Sequence, residues 1–280
     1  MPDKSQLPYL VKLLDDDSPA IRQHVLEQIL AYGPDVEDAL RVYEPALTHR
    51  QRTLLRTALA EHRDSRTRRE AWRAWPSLED SYARLERALD LLAQFQYHWA
   101  PPVSLGEVLD DLASSFLTSG RPMDPVGLSR FLFITKKFRG DADDYYNPLN
   151  SNLYYVIQER RGIPITLTAV FMLVGRRAGL EIRGCNVPGH FLAKATVNGE
   201  DALFDCFNRG RMLSRSDKLQ LRATLSPHMA HVLNEGASTE SIVSRVLRNM
   251  IQAYDQQDAP EKSMMARELL RDLQETARQP

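Results

Sequence analysis

One apolar segment limits what this chain can fold into. The sequence PITLTAVFMLVGRRAG, from Pro164 to Gly179, is apolar over most of its length. Its longest candidate transmembrane run, Thr166 to Val174, is far shorter than the ~20 residues that a membrane-spanning helix needs. Proline suits the first turn of a helix, and glycine suits the left-handed residue that follows its last turn. The segment is therefore predicted to be a helix of a globular core.

Three strands are predicted directly after this helix. Residues 180–187, 190–197 and 202–207 carry the pattern typical of strands, and Asn198-Gly199 is a hairpin signal between the last two. A helix followed by an antiparallel meander gives an α+β core. Because helical patterns dominate the remaining sequence, the fold class is predicted to be α+β and mostly helical.

Two polar side chains fall on neighbouring predicted strands. His190 begins one strand and Asp205 lies near the end of the next, so antiparallel pairing is expected to bring the imidazole close to the carboxylate. Cysteine-dependent acyl transfer needs a thiolate, a histidine that takes and returns its proton, and an acceptor that orients the histidine. The sequence therefore predicts the orienting half of a catalytic triad. A second interpretation is a structural pair, in which a buried histidine donates to a carboxylate.

The segments around these residues are similar to a known family. NSNL, RRGIPITL, PGHFL and FDCFNRGR occur in this order between residues 138 and 213. In these motifs the chain resembles the SirB family, a bacterial group, in its branch with a transglutaminase-like core and a TPR-like tail. The resemblance implies a papain-like core, in which a helix precedes antiparallel strands. The sequence before residue 130 carries little of this resemblance.

The resemblance also implies where a nucleophile would lie. The family pattern places the nucleophilic cysteine at or near Ile165, the histidine at His190 and the aspartate at Asp205. No cysteine occurs from Pro164 to Thr168. The expected nucleophile is therefore predicted to be absent, in agreement with a family whose enzymatic activity is not established.

Other side chains offer alternative nucleophiles. Thr166 and Thr168 carry hydroxyls near the expected position, although an unactivated threonine is a poor nucleophile and Thr166 also suits helix capping. Cys185 lies on the first predicted strand, where it lacks the helix dipole that lowers the pKa of a thiol. Cys206 is predicted to alternate to the core side of its strand. Cys185 and the two threonines are the candidate nucleophiles of an enzyme hypothesis.

A polar cleft is predicted beside the histidine and the aspartate. Arginine and asparagine suit the recognition of carboxylates and peptides. The candidate lining residues are Asn150, Asn152, Tyr154, Arg160, Arg161, Thr166 and Arg209. These side chains have a second interpretation, in which they cap helices and tie loops together.

Helical regions are predicted on both sides of this core. The segment LVKLLDDDSPAIRQHVLEQI resembles one HEAT unit, with Ser18 as the N-cap of a second helix that buries Ile21, Val25 and Ile29. A tail broken at Asp258-Ala259-Pro260 resembles one TPR unit. The predicted domains are a HEAT-like region over residues 1–75, a transglutaminase-like domain over 76–237 and a TPR-like hairpin over 238–280.

Composition argues against several classes of function. Lys and Arg number 36 and Asp and Glu number 37, so no net charge draws the whole chain to nucleic acid or to an anionic membrane. The 2 cysteines are too few for a disulfide scaffold or an all-cysteine zinc site. His228-x-x-His231 alone is thin evidence for a metal, and no glycine-rich phosphate loop occurs. We therefore expect a cytoplasmic protein without metal or cofactor.

The sequence favours one function over another. The favoured function is that of a catalytically degenerate transglutaminase-like protein of the SirB type, which binds a protein or peptide partner and acts in regulation. The alternative is an active acyl-transfer or amide-hydrolysing enzyme that uses His190 and Asp205 with Cys185 or a threonine. The two hypotheses differ in the thiol reactivity that they predict.

Overall fold

The structure is a computed structural model that describes residues 6–14, 16, 19–30, 32, 36–41, 43, 47–97, 103–187, 189–224 and 236–276. Ser18, Pro188, His228 and His231, which bear on the predictions above, lie outside the described residues. The chain divides into two compact units, Met1–Glu70 and Ala71–Pro280. The predicted TPR-like hairpin falls within the second unit.

Among the described residues of the first unit, four helices begin. They are α1 (Leu7–Lys12), α2 (Pro19–Leu30), α3 (Val36–Arg41) and α4 (His49–Ala74). Their buried side chains form one apolar cluster, made of Leu7, Val11, Leu14, Val25, Ile29, Val36, Leu40, Leu47 and Leu55. The predicted buried face of α2 is correct for Val25 and Ile29 but wrong for Ile21, which is 44% exposed. The HEAT-like character of this region stays a prediction.

The second unit is built around the predicted apolar helix. Its helices are α5 (Ser81–Tyr97), α6 (Leu105–Leu117), α7 (Pro125–Ser129), α8 (Leu153–Glu159), α9 (Pro164–Arg177), α10 (Arg215–Thr224), α11 (Thr239–Gln256) and α12 (Pro260–Thr276). Every residue of α9 from Pro164 to Gly175 is buried. The left-handed residue after the helix is Gly179, with φ +73°. The prediction of a core helix is therefore confirmed.

A four-stranded antiparallel sheet packs on α9. The strands β3 (Ile182–Cys185), β4 (Leu192–Val197), β5 (Glu200–Asp205) and β6 (Arg211–Met212) lie side by side in chain order. Phe204 on β5 packs edge-on against Phe171 on α9, with ring centroids 5.5 Å apart. The structure confirms a mostly helical fold with an antiparallel sheet. Five of the six predicted strand ends are wrong by two residues; for example, His190 precedes β4 and Cys206 lies in the turn after β5.

A short parallel pairing of two strands contacts α8 and α9. Strands β1 (Arg139–Gly140) and β2 (Arg161–Gly162) pair in register, with Arg139 opposite Arg161. The backbone N–H of Arg139 donates to the carbonyl of Arg160 at 3.0 Å, and the N–H of Gly140 donates to the carbonyl of Phe207 at 3.0 Å. Three distant parts of the sequence therefore meet at this pairing.

The last two helices pack on the core of the second unit. Ile242, Val246, Met250 and Tyr254 form the buried face of α11. The Trp72 indole N–H donates to the carbonyl of Leu269 on α12 at 3.1 Å, which joins the helix pair to the start of the second unit. No helix among the described residues is long and apolar enough to cross a membrane.

Candidate functional site

The predicted histidine and aspartate lie side by side at one end of the four-stranded sheet. His190 precedes β4 and Asp205 is the last residue of β5. The register pairs Ala193 with Phe204, which places these two strand ends next to each other. His190 Nε2 lies 3.1 Å from Asp205 Oδ2, and the two side chains are 30% and 8% exposed. The structure therefore brings together the two residues that the sequence analysis paired.

A third residue, Asn208, completes the hydrogen bonding of Asp205. The backbone N–H of Asn208 donates to Asp205 Oδ1 at 3.1 Å, and its side-chain Nδ2 donates to Oδ2 at 2.7 Å. Burial raises the pKa of Asp205, but the hydrogen bonds from His190 and Asn208 together bring it below its usual value. The carboxylate is thus ionised at neutral pH and orients His190. The sequence analysis missed Asn208, although Asp-x-x-Asn after a strand is a turn signal.

The first turn of α9 holds no thiol and is closed to solvent. Ile165 is 1% exposed, and Thr166 and Thr168 are fully buried. The Thr166 hydroxyl lies 2.8 Å from the carbonyl oxygen of Asn150 and 3.1 Å from that of Ile163, and it donates to them. A hydroxyl proton that is shared with two carbonyls is not positioned for transfer to His190. The structure thus gives Thr166 a structural role.

The segment from residue 145 to 151 and helix α11 cover this turn. Between them lies a cavity of about 10 Å³, lined by Tyr145, Tyr146, Asn147, Ser151, Ile163, Asn249, Gln252 and Ala253. Ile163 is the N-cap of α9, so this cavity adjoins the position where the family pattern places a nucleophile. A cavity of this size holds about one water molecule. It has no room for a peptide or acyl substrate.

Both cysteines are buried thiols. Cys185 ends β3 opposite Leu192 and packs with Val187, Leu203 and Leu213. Burial raises the pKa of the Cys185 thiol to about 11, against a smaller opposing effect of Lys194. Cys206 lies in the main core, where burial raises its pKa to about 12. Neither thiol has the electropositive, accessible surroundings that make a cysteine nucleophilic at neutral pH.

The predicted cleft residues fall into two groups. Asn150 and Asn152 are fully buried beside α8 and α9. Asn152 is the N-cap of α8, and its Oδ1 accepts from the backbone N–H groups of Tyr154 and Tyr155. Asn150 Nδ2 donates to the carbonyl of Asp144 at 2.7 Å. These asparagines hold the segment over α9 in place. The arginines of the predicted cleft are instead exposed.

The exposed arginines line a cavity of about 470 Å³, here called the cation cavity. Its charged residues are the cations Lys137, Arg139, Arg160, Arg161 and Arg209 and the carboxylate Glu159. Its apolar residues are Phe133, Ile134 and Phe138. The cations come from the segment around β1, from the segment around β2 and from the turn after β5. The sequence analysis named Arg160, Arg161 and Arg209 but missed Lys137 and Arg139.

A second cavity shares a wall with the first. It measures about 360 Å³ and is lined by Arg139, Gly140, Asp141, Ala142, Asp143, Phe207, Asn208 and Arg209. We call it the carboxylate cavity, after Asp141 and Asp143. Arg139 and Arg209 line both cavities. Asn208 lines the carboxylate cavity, and its side chain also donates to Asp205. Asn208 therefore connects this cavity to the pair formed by His190 and Asp205.

Helix α11 fixes the loop that leads to His190. The Arg245 guanidinium donates to Asn186 Oδ1 and to the carbonyl of Val187, the latter at 3.1 Å. The same guanidinium lies 5.6 Å from the ring centroid of Phe191. Burial lowers the pKa of Arg245, which lies far above neutral pH in any arginine. Through Arg245, helix α11 therefore fixes Asn186 and Val187, which lie shortly before His190. This role was not predicted from the sequence.

The sequence profile of the Transglutaminase-like superfamily matches residues 104–248, more than half of the chain. The chain belongs to this superfamily. The transglutaminase-like match includes α9, the four strands, His190, Asp205 and most of the residues that line both cavities. Among the described residues, no group of three or more His, Cys, Asp and Glu side chains is arranged to hold a metal ion.

The chain is also similar in sequence to several named proteins. A UPF0162 protein of Xylella fastidiosa (strain 9a5c) is 30% identical over 202 residues, which cover 65% of this chain and 69% of that protein. A UPF0162 protein of Pseudomonas aeruginosa is 32% identical over 159 residues, covering 56% of this chain and 55% of that protein. F-box only protein 21 of Mus musculus is 28% identical over 128 residues, covering 43% of this chain but only 20% of that protein. No solved structure gives a significant match.

Proposed function

We propose that this chain is a non-catalytic transglutaminase-like protein of the SirB type, which binds a polypeptide partner in a regulatory role. The first turn of α9 carries the proposal. Ile165 and Thr166 occupy the expected nucleophile position, and both are almost completely buried. The cavity beside Ile163 has a volume of about 10 Å³, which leaves no space for a substrate. The fold of the superfamily is kept, but the expected nucleophile position in the first turn of α9 holds buried side chains without a thiol. This arrangement suits binding better than catalysis.

The proposed partner surface is the exposed part of the predicted cleft. Arg161 and Arg209 are exposed and line the cation cavity. Guanidinium groups suit the recognition of carboxylates through paired hydrogen bonds. A segment of F-box only protein 21 of Mus musculus is similar to 43% of this chain, and that segment is 20% of the longer protein. The presence of a similar segment within a longer protein supports a role as a binding domain that acts together with other parts of a protein.

An affinity capture experiment tests the binding role. The tagged full chain is compared with Arg161→Glu and with a control, Arg248→Glu, which changes an exposed arginine on α11 outside both cavities. The source is a lysate of a bacterium that contains a UPF0162 protein, and captured proteins are identified by mass spectrometry. We expect at least one partner to be lost with Arg161→Glu and kept with Arg248→Glu. A partner set that neither substitution changes would remove the cleft as the binding surface.

One observation favours the enzyme alternative. His190 Nε2 and Asp205 Oδ2 keep the 3.1 Å geometry of the orienting half of a triad. If Cys185 were the nucleophile, iodoacetamide would label it quickly near neutral pH, and His190→Ala would slow the labelling. The buried Cys185 thiol predicts slow labelling that does not depend on His190. Rapid, histidine-dependent labelling would contradict the non-catalytic proposal.

A further inference from the structure

The cation cavity carries charge that the protein does not neutralise. Its cations are Lys137, Arg139, Arg160, Arg161 and Arg209. Within the described residues, none of them has a carboxylate oxygen within 4.0 Å, although Glu159 lines the same cavity. Several other arginines of the second unit do pair with carboxylates. Arg177, for example, lies 2.8 Å from Glu86 and 2.5 Å from Asp110. The numbers of basic and acidic residues in the chain are nearly equal, 36 and 37, yet among the described residues this group of five cations has no carboxylate partner within 4.0 Å.

The backbone is strained at three of these cations. Lys137, Arg160 and Arg209 have positive φ angles of 63°, 56° and 56°. This left-handed conformation suits glycine, and asparagine and aspartate tolerate it better than longer side chains do. A structural turn has no need of lysine or arginine at such a position. Strained residues that converge on one cavity are typical of sites that bind a ligand.

The wall of the cavity has an unusual helix. Residues Arg130–Thr135 form a π-helix, and its last turns supply Phe133 and Ile134. π-helical turns are rare and occur frequently at functional sites. Phe133 and Phe138 are almost fully buried and form an apolar base, whereas Ile134 is 59% exposed at the rim. A ligand of this cavity meets an apolar surface as well as five cations.

We propose that the cation cavity binds an acidic peptide segment that carries one apolar side chain. Its carboxylates pair with the guanidinium groups, and its apolar side chain lies on Phe133, Ile134 and Phe138. The adjoining carboxylate cavity, with Asp141 and Asp143, receives amide or cationic groups further along the segment. This inference rests on the proposed function, because it names the chemistry of the partner at the same cleft.

Two other ligands fit these surfaces less well. A small polyanion, such as a diphosphate, uses the cations but leaves the apolar base without a partner and is repelled by Asp141 and Asp143. A nucleic acid follows a long basic track, whereas these cations surround one cavity of about 470 Å³. Two joined cavities with opposite charge and an apolar base match an extended peptide, whose side chains alternate in chemistry.

Fluorescence anisotropy with a labelled peptide tests the proposal. The probe contains Glu-Glu-Leu-Glu, and the matched peptides contain Gln-Gln-Leu-Gln and Glu-Glu-Gly-Glu. The full chain is titrated at fixed ionic strength, together with Arg161→Gln, Arg139→Gln and the control Arg248→Gln. We expect saturable binding of the acidic peptide and a Kd that is at least about tenfold higher for the Gln peptide and for both cavity variants. The Gly peptide should bind several-fold more weakly, and the control should bind like the wild type.

Three results would overturn the inference. The first is equal binding of the Glu and Gln peptides, and the second is equal weakening by Arg161→Gln and Arg248→Gln. The third is saturable binding of pyrophosphate without binding of the acidic peptide, which would replace the peptide with a small polyanion. If the capture experiment still shows a partner that depends on Arg161, the proposed function stands without this chemistry. If no partner depends on Arg161 in either experiment, the cleft is removed as the binding surface together with this inference.

Discussion

Replacing Arg160 by glycine should make the protein more stable. Arg160 follows the last residue of α8 and adopts φ 56° and ψ 31°, the left-handed conformation. Its side chain is exposed and makes no ion pair or side-chain hydrogen bond within the described residues. Its carbonyl accepts from the backbone N–H of Arg139, and a glycine keeps this bond. The substitution therefore removes strain and charge without removing a contact that supports the fold.

The size of the effect follows from the backbone angles. A left-handed residue with a Cβ costs about 1 to 2 kcal/mol relative to the right-handed conformation. Glycine avoids this cost but adds about 0.5 to 1 kcal/mol of backbone entropy to the unfolded chain. The free energy of unfolding should thus rise by about 0.5 to 1 kcal/mol. For a unit of about 200 residues, this corresponds to a rise in Tm of about 1 to 4 °C.

Circular dichroism during heating and urea titration measures this change. The matched control is Arg248→Gly, which removes an exposed arginine from the interior of α11. Glycine in a helix interior costs about 1 kcal/mol, so the control should be destabilised by roughly the amount that Arg160→Gly gains. Stability changes of opposite sign are expected from the same chemical substitution. If both variants lose stability, the strain at Arg160 is not the cost that we infer.

Three further predictions concern the core and the polar pair. Gly210→Ala should lower the free energy of unfolding, measured by urea titration, by about 2 to 4 kcal/mol. The reason is that φ is +66° and that the new Cβ would lie 2.2 Å from Phe133 Cδ2. An unchanged midpoint of urea unfolding would refute the inferred strain of alanine at this position. Iodoacetamide labelling of Cys185 should be slow at pH 7 and accelerate towards its pKa of about 11; a rate that levels off near pH 7 would contradict this. The lowered pKa of Asp205 stabilises the fold above the unfolded pKa of about 4, and this contribution is lost as pH falls through the folded pKa. The stability difference between wild type and Asp205→Asn in urea should therefore narrow below about pH 4, and a constant difference would contradict the assignment.

The main features of the transglutaminase-like core follow from local sequence patterns. The apolar run of α9 has no polar face, so it requires burial on all sides, and the structure buries it. Antiparallel pairing of two consecutive strands brings Asp205, the last residue of β5, next to His190, which lies two residues before β4. The ends of these strands were harder to predict. Asn208 turns the chain through its bonds to Asp205, and Cys206 consequently leaves the strand.

The cation cavity depends on contacts that sequence patterns do not encode. Lys137 and Arg139 are 22 or more residues away from Arg161, and Arg209 lies beyond the whole sheet. The cations occur in short basic groups at residues 136–139, 160–161 and 209–211, which lie far apart in the sequence. Only the pairing of β1 with β2 brings the first two segments together. The sequence analysis therefore recognised some of the arginines but not the unneutralised group that they form.

The pairing of Arg139 with Arg161 has a consequence for the response to salt. Partners on neighbouring parallel strands lie about 4.8 Å apart at the backbone, so the two cationic side chains leave the strand pair on the same side. Like charges on neighbouring side chains repel, and dissolved ions screen the repulsion. Added salt weakens the attraction within a surface ion pair. In contrast, it weakens the repulsion between these two arginines and should therefore stabilise the pairing of β1 with β2. Amide hydrogen exchange at Arg139 should accordingly slow as sodium chloride rises from about 10 mM to about 200 mM. The pairing of β1 with β2 should thus open less often at the higher salt concentration than at the lower one.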